Sequence, residues 1–267
     1  KKSQAVVGDR VLWQASQDEG TVEQVQPRRN LFYRQDEIRT KSFAANLDHV
    51  LILIAAEPEF SEHQLARALI AAQAERITPI IALNKSDLVA PFERAWARLA
   101  PYRHMHHGVL PLSLTASGEV DRETLLRRLA GKTTLVLGPS GAGKSTLINL
   151  LVPGAAAQTG EISQALNSGR HTTTSTTWYW VDREAGTALI DSPGFQEFGL
   201  HHIEPTQLAR LMPDIAEQAN DCKFYNCTHL HEPGCGVIAH VQSGAINTSR
   251  YRIYSELFQE LSQPRYP

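Results

Sequence analysis

The most informative motif of the sequence is a glycine-rich segment, Gly138-Pro139-Ser140-Gly141-Ala142-Gly143-Lys144-Ser145. It matches the pattern GxxxxGK[ST] at every fixed position, and it stands between the apolar segment Thr134–Leu137 and a helical pattern that includes Thr146. Glycines in such a loop let successive backbone N–H groups converge on phosphate oxygens, and the N-terminus of the following helix adds positive potential. Lys144 would reach the β- and γ-phosphates, and the Ser145 hydroxyl would bind Mg²⁺. The sequence therefore predicts a nucleotide-binding site over residues 138–146.

A second motif, Asn84-Lys85-Ser86-Asp87, indicates which base is bound. A carboxylate at Asp87 can accept hydrogen bonds from N1–H and the exocyclic amine of guanine. Adenine offers neither donor on that edge, so the carboxylate would stay unpaired at a cost of roughly 1–3 kcal/mol. Asn84 would tie the base loop to neighbouring backbone, and the stem of Lys85 would lie along the base. Together with the phosphate loop, this motif predicts guanine nucleotides, GTP and GDP.

The Mg²⁺ and switch elements follow the phosphate loop. Asp191-Ser192-Pro193-Gly194 matches Asp-x-x-Gly at the end of an apolar strand pattern. Asp191 would hold Mg²⁺ through a water, and the Gly194 N–H would face the γ-phosphate. A threonine of the run Thr172–Thr174, with Thr173 as the candidate, should complete the Mg²⁺ shell when GTP is bound, which predicts an order–disorder switch.

The order of these elements is rotated relative to ordinary small GTPases. Asn84 precedes Gly138, and Ser113 stands between them, where a second guanine-contacting loop is expected. The same parts in rotated order indicate a circular permutation, which a sheet tolerates because its contacts are spatial and the original termini lie close together.

The remaining composition limits the class of protein. Hydrophobic residues make up 42% and charged residues 20% of the 267 residues, which excludes disorder for most of the chain. The net charge of −2 excludes a globally basic nucleic-acid binder. The longest apolar run, Val50–Ala56, is too short to span a bilayer. No signal-peptide pattern is present, so we expect a cytoplasmic protein without membrane association. Strand and helix patterns alternate from Asp48 onwards and predict a mostly parallel, three-layer α/β sheet.

The first ~43 residues show short strand patterns separated by turn residues. Between Arg28 and Lys41, basic residues alternate with Phe32 and Tyr33. This pattern predicts part of a small β-barrel, short for a complete five-stranded one. Its basic segment could bind RNA through arginines and stacked aromatic rings, or could be a solvated basic loop.

The three cysteines lie in one short segment, Cys222-x4-Cys227-x-His229-x5-Cys235. An odd number of clustered cysteines argues against a disulfide framework, and three thiolates with an imidazole suit a structural, tetrahedral Zn²⁺ site. His231 also lies in range, and spacing alone does not choose between it and His229. In the terminal helix pattern, Tyr251 and Tyr254 share one face, which favours core packing over contact with RNA.

The permuted motif order, the loop Gly169-Arg170-His171-Thr172-Thr173-Thr174 and the cysteine-rich tail resemble the ribosome small subunit-dependent GTPase A (RsgA, also YjeQ) family. The resemblance covers nearly the whole chain. It implies an N-terminal OB-fold barrel (residues 1–43), a circularly permuted GTPase domain (44–199) and a C-terminal α-helical zinc-binding domain (200–267). It also selects His229 as the zinc ligand.

By the same resemblance, the chain would hydrolyse GTP to GDP and phosphate, faster when bound to the small (30S) ribosomal subunit. It would act late in maturation of that subunit and in the release of assembly factors. The partners would be the subunit and its rRNA, and we expect a monomer.

The glutamine that orients the attacking water in many GTPases is missing, because Phe195 stands at that position after Asp-x-x-Gly. His171 is the best internal candidate for a catalytic residue, although it could instead cap the switch loop or contact rRNA. Two other functions stay open. A transport-type P-loop ATPase would carry a Leu-Ser-Gly-Gly-Gln signature and a downstream acidic pair, and both are missing. The other is a non-hydrolysing, nucleotide-regulated RNA-binding module.

Overall fold

The computed structural model describes residues 5–15, 20–37, 39–105, 108–155, 176–192, 195 and 198–263. Ten strands occur within these residues. They are β1 Val11–Ala15, β2 Gly20–Val25, β3 Leu31–Gln35, β4 Thr40–Ala45, β5 His49–Ala55, β6 Thr78–Asn84, β7 Val109–Pro111, β8 Thr133–Leu137, β9 Thr177–Asp182 and β10 Thr187–Asp191.

Nine α-helices lie in the same part of the chain. They are α1 Glu62–Ala74, α2 Val89–Arg98, α3 Ala100–His104, α4 Gly118–Leu129, α5 Lys144–Leu151, α6 Pro205–Leu208, α7 Pro213–Gln218, α8 Gly236–Gln242 and α9 Thr248–Leu261. None of these described helices combines the length and the apolar composition needed to cross a membrane.

The central sheet has six strands in the order β7-β6-β5-β8-β10-β9. Neighbouring strands are parallel except for β9, which pairs antiparallel with β10 at one edge. This confirms the predicted mostly parallel sheet. The strand that precedes the phosphate loop, β8, lies between β5 and β10, so the rotated motif order still produces one continuous sheet. Parallel strands all present their carboxyl ends at the same edge, where ligands bind in open α/β sheets.

Strand β5 shows why the sheet forms three layers. Its residues are almost fully buried on both sides, which explains the unbroken apolar pattern. Ile52 and Ile54 pack in the same core as α1, whereas Leu51 and Leu53 pack in the core that contains residues of α4 and α5. Each fully buried side chain of this kind contributes roughly 1.5–3 kcal/mol. Helix α1 is capped by Ser61, whose hydroxyl accepts a hydrogen bond from the Gln64 N–H at 3.3 Å.

The N-terminal residues form two antiparallel hairpins, β1–β2 and β3–β4. The predicted barrel is represented here by these hairpins, and its closure stays a prediction. The expectation that Phe32 offers a stacking surface is wrong. Its ring is fully buried, 5.7 Å from the ring of Phe43 and 5.5 Å from that of Phe198. The reason is the β3–β4 pairing, which turns this side chain towards the apolar core that also contains residues of β5 and α1.

A short segment after β10 is attached to β3. The backbone N–H of Gln35 donates to the Gly199 carbonyl at 3.1 Å, and the His201 N–H donates to the Gln35 carbonyl at 2.9 Å. A Cβ atom at Gly199 would overlap the side chain of Asp36. Residues 198–201 therefore connect the two regions through backbone contacts that only a glycine permits.

The C-terminal residues form short helices that pack on α1 and α3. Arg250 of α9 is buried and donates to the Asp214 carboxylate at 2.9 and 3.0 Å, with its guanidinium 4.9 Å from the Tyr102 ring centroid. Arg67 of α1 donates to Glu260 of α9 at 3.0 Å. The Arg250–Asp214 pair is buried and holds α9 against α7, so removing either partner would leave an uncompensated charge. The contacts that join α9 to α1 and α3 are the Arg67–Glu260 pair and the packing of Arg250 on the Tyr102 ring.

Candidate functional site

The phosphate loop lies at the carboxyl edge of the sheet, between β8 and α5. Gly141 and Gly143 have φ angles of 80° and 101°, a region that favours glycine. A Cβ atom on Gly143 would also overlap Nδ2 of Asn84, and one on Gly138 would lie 2.5 Å from the Leu53 carbonyl oxygen. The glycines are therefore needed both for the loop conformation and for its close contact with β5 and β6.

The two predicted charged residues of the phosphate and Mg²⁺ sites are in contact. Lys144 begins α5, and its ammonium group forms an ion pair with the carboxylate of Asp191 at the end of β10. Their side chains are 14% and 5% exposed. Ser145 and Thr146, also predicted to bind nucleotide or Mg²⁺, are half-buried in the first turn of the same helix. One corner of the site thus gathers a cation, a carboxylate and two hydroxyls.

Asn84 joins the phosphate loop to the base-binding loops. It is buried at the end of β6. Its Nδ2 donates to the Ala142 carbonyl at 2.9 Å, and its Oδ1 accepts from the Leu114 N–H at 3.1 Å. The predicted role of this side chain, tying the base loop to neighbouring backbone, is what these two hydrogen bonds perform.

The predicted base-reading carboxylate is held in place from one side. Asp87 is exposed, and its carboxylate accepts a hydrogen bond from the hydroxyl of the buried Ser113 at 2.5 Å. Lys85 has a φ of 67°, and its ammonium group donates to the Glu57 carbonyl at 2.6 Å. The backbone N–H of Ser113 donates to the buried carboxylate of Asp121 at 2.6 Å. The two predicted guanine loops are therefore in direct contact.

Several predicted residues fall outside the described part of the chain. They are Gly194, the catalytic candidate His171 and the run Thr172–Thr174, which contains Thr173. Phe195 is described, and its side chain is 3% exposed with its ring 6.5 Å from that of Phe198. The residue that replaces the usual glutamine is therefore a core residue.

The cysteine segment forms a cluster that could hold a metal ion. The ligand atoms of Cys222, Cys227, His229 and Cys235 all lie within 4.8 Å of one another. The Cys222 Sγ lies 3.4 Å from the His229 Nδ1 and 3.8 Å from the Cys235 Sγ. His231 is exposed, so the geometry selects His229 from the two histidines that spacing alone left open. Burial raises the pKa of the Cys227 thiol to about 12, which makes this site a poor place for bare thiolates and a suitable one for thiolates that share a cation.

Two tyrosines and a glutamate support the backbone of this cluster. The Tyr251 hydroxyl donates to the His229 carbonyl and the Tyr254 hydroxyl to the Thr228 carbonyl, each at 2.8 Å. The Glu232 carboxylate accepts from the Thr228 N–H at 2.7 Å and from the Thr228 hydroxyl at 2.5 Å. Burial acts to raise the pKa of Glu232, but these hydrogen bonds hold it well below its usual range. The packing role predicted for the tyrosine pair is confirmed, and the pair also supports the loop that carries the Cys3His cluster.

Sequence reasoning missed Asp121 and Glu232. Each is a carboxylate in a polar stretch that could equally be a solvated helix or turn. Their only local signals are that Asp121 falls eight residues after Ser113 and that Glu232 falls among the cluster ligands.

Comparisons with known proteins identify the family of this chain. The model of a family described as RsgA GTPase matches residues 25–201. The small ribosomal subunit biogenesis GTPase RsgA of Variovorax paradoxus (strain S110) is 83% identical over 270 residues, which cover 100% of this chain and 85% of the relative. The protein of the same name from Burkholderia mallei (strain SAVP1) is 52% identical over 264 residues, covering 98% and 83%.

Solved structures agree with the permuted topology. YloQ, described as a circularly permuted GTPase, is 30% identical with a TM-score of 0.73, and the match covers 99% of this chain and 84% of that one. YjeQ from Thermotoga maritima is 28% identical with a TM-score of 0.76, covering 98% and 86%. With a family model that spans most of the chain and relatives of this identity, the protein belongs to the RsgA family of circularly permuted GTPases.

Proposed function

We propose that this chain hydrolyses GTP to GDP and phosphate and acts in the biogenesis of the small (30S) ribosomal subunit. The relatives that share up to 83% of their residues with it are named for that activity and that assembly. The observation that carries the proposal is the continuous set of contacts from Ala142 in the phosphate loop, through Asn84 and Leu114, to Ser113 and Asp87.

These contacts support guanine over adenine. They connect the loop that would hold the triphosphate with a carboxylate whose free lone pairs could accept from two adjacent N–H donors. Guanine has such a pair of donors on one edge, and adenine does not, so the base is selected by hydrogen bonds that adenine would leave unmade. A transport-type ATPase would have no use for this carboxylate.

The nucleotide roles follow from the positions of the charged groups. Lys144 would move from Asp191 to the β- and γ-phosphates when nucleotide binds, since the phosphates carry more negative charge than one carboxylate. Ser145 and Asp191 would then hold Mg²⁺, with Thr173 as a further ligand and the Gly194 N–H at the γ-phosphate. When bound, Mg²⁺ would neutralise charge on the phosphate oxygens. The half-buried Ser145 hydroxyl and the buried Asp191 carboxylate are hard oxygen ligands that suit this ion.

The metal in the Cys3His cluster would be Zn²⁺. Three thiolates and one imidazole form a closed tetrahedral set with no open position for a substrate, so the site is structural. An iron–sulfur cluster would more often require four cysteines. One zinc ion would hold together a segment that is too small to bury a core of its own.

Removing one hydroxyl should loosen this zinc site. In the Tyr254→Phe variant the Thr228 carbonyl loses its donor, and we expect a loss of about 1–3 kcal/mol in the free energy of unfolding, together with faster zinc removal by a chelator. Urea denaturation and the rate of zinc transfer to a chromogenic chelator measure the two effects. Tyr225→Phe is the matched control, because Tyr225 is fully exposed. Equal zinc-transfer rates in the two variants would contradict the proposed support.

The wider organisation is proposed from the family and the segments seen here. Residues 1–43 would form an RNA-contacting OB-fold barrel, residues 44–199 the permuted GTPase domain and residues 200–267 the zinc-binding domain. A monomer in the cytoplasm would meet immature small subunits and their rRNA there.

Hydrolysis needs a group to orient water, since Phe195 is buried and has no hydrogen-bonding atom. We propose His171 for this role. The His171→Ala variant should lower subunit-stimulated turnover by about 10²-fold, the usual range for a general base, while the affinity for GTP stays nearly unchanged. Phosphate release and equilibrium binding of GTP give the two quantities. Unaltered stimulated turnover would show that His171 serves the loop or the rRNA instead.

A single assay tests the function as a whole. Phosphate release is measured from GTP and from ATP, each with and without purified small ribosomal subunits. The proposal expects slow release from GTP, acceleration by the subunits and little release from ATP. Preference for ATP would indicate the transport-type ATPase, and no release under any condition would indicate the non-hydrolysing RNA-binding module that the buried Phe195 favours.

A further inference from the structure

Ser113 is held between two carboxylates that come from different elements. Its hydroxyl donates to Asp87 at 2.5 Å, and its backbone N–H donates to Asp121 at 2.6 Å. Ser113 itself is 3% exposed. The exposed carboxylate, Asp87, belongs to the base-binding motif, whereas the buried one, Asp121, has no role in the function proposed above.

Asp121 lies in the first turn of α4 and is 8% exposed. Burying a carboxylate is costly unless hydrogen bonds and favourable charge compensate for it. The N-terminus of the helix supplies positive potential, and the Ser113 N–H supplies a charge-assisted hydrogen bond. An apolar residue would pack at this position without that cost, so the carboxylate is better explained by what it holds than by core stability.

The segment that it holds is also anchored through its backbone. The Ser86 N–H donates to the Leu112 carbonyl at 2.9 Å, and the Ser117 N–H donates to the Ser113 carbonyl at 2.7 Å. Leu114 and Thr115 follow Ser113, and the Leu114 side chain is buried in the apolar core. The Leu114 N–H is bound by Asn84, which fixes the phosphate-loop side of this segment. On the Ser113 side, which touches the base-reading carboxylate, Asp121 supplies the side-chain group that holds the Ser113 N–H.

We propose that Asp121 is a positioning residue for guanine recognition and acts through Ser113 on Asp87. This inference rests on the proposed function. Fixing the Ser113 backbone aims the Ser113 hydroxyl, and that hydroxyl restricts the Asp87 carboxylate to the orientation in which its free lone pairs face the base. A carboxylate that is already oriented loses less rotational freedom on binding.

The test compares guanine with adenine nucleotides, since both carry the same phosphates. Equilibrium dissociation constants for GDP and ADP are measured for the full-length protein and for Asp121→Ala. We expect the preference for GDP over ADP to fall by about tenfold or more, as for loss of one charge-assisted hydrogen bond, while ADP affinity changes little. If Asp121 only supported the fold, Asp121→Ala would lower the affinities for GDP and ADP by the same factor. That result, or an unchanged preference, would overturn the proposal.

Two further variants make the test specific. Asp121→Asn keeps the shape and an acceptor oxygen, so its preference for GDP over ADP should lie between those of the wild type and Asp121→Ala. If the alanine variant does not fold, the asparagine variant provides the test. Glu119→Ala removes an exposed acid from the same first turn of α4 and should keep the full preference. An equal loss in Glu119→Ala would assign the effect to helix charge and overturn the proposal.

Ser113→Ala completes a double-mutant cycle. If Asp121 acts through the Ser113 hydroxyl, Asp121→Ala should lower the GDP preference much less in the Ser113→Ala background than in the wild type. Full additivity would overturn that route. The failure of this inference is distinct from that of the proposed function, because a wild type without preference for GDP refutes the function, whereas a wild type and Asp121→Ala with the same strong preference refute only this role.

Discussion

Replacing Lys144 by alanine should lower the rate of GTP hydrolysis by about 10²–10³-fold, the range seen when one preorganised electrostatic donor is removed from a transition state. Negative charge shifts towards the β–γ bridging oxygen during phosphoryl transfer, and the Lys144 ammonium is the cation at the start of α5 that can meet it. Phosphate release under single-turnover conditions measures the effect. Lys132→Ala is the matched control, since this exposed lysine precedes β8. An equal rate in the two variants would contradict the assignment.

The same substitution should also destabilise the nucleotide-free protein. The Asp191 side chain is 5% exposed and would lose its only ion-pair partner among the described residues. Leaving one half of a buried pair costs about 3–5 kcal/mol. Adding Asp191→Asn to Lys144→Ala should restore part of this free energy of unfolding, because the neutral amide removes the unpaired charge. Urea denaturation of the single and double variants tests this, and a further loss in the double variant would contradict it.

Replacing Asp87 by asparagine should weaken GTP binding by about 10²-fold or more. Two proposed charge-assisted hydrogen bonds to guanine would be lost, each contributing about 1.5–3 kcal/mol, and the new amide N–H₂ group would oppose the guanine donors. Xanthine presents a carbonyl where guanine has its exocyclic amine, so the same variant should bind xanthosine triphosphate better than GTP.

Competition binding with the two nucleotides separates a changed preference from a damaged fold. A variant that loses both nucleotides equally would show that Asp87 supports the loop and does not read the base.

The sequence predicted the chemistry of the site better than the contacts that orient it. The phosphate loop and the base-binding motif are local patterns with a fixed spacing, so their positions at strand ends follow from the alternation of strands and helices. Asp121 could not be found this way, because its function depends on a hydrogen bond to a backbone N–H in another segment.

The burial of side chains in the N-terminal hairpins also could not be predicted from neighbouring residues in the sequence. Phe32 stands among basic residues, which is typical of an RNA-binding surface, yet its environment is set by Phe198, which lies far away in the chain. The tyrosine pair shows the opposite case. Its spacing on one helix face predicted packing correctly, while the carbonyl groups that it binds in the metal-binding loop follow only from the three-dimensional structure.

Two backbone hydrogen bonds, from Gln35 to Gly199 and from His201 to Gln35, couple strand β3 to the segment that follows the nucleotide site. Gly199 follows Asp191 by eight positions, and its backbone lies so close to Asp36 that a side chain at this position would overlap it. A displacement of residues 199–201 would either carry strand β3 with it or break both of these hydrogen bonds. A structural change at the nucleotide site that reached these residues would in this way be transmitted to the N-terminal strands.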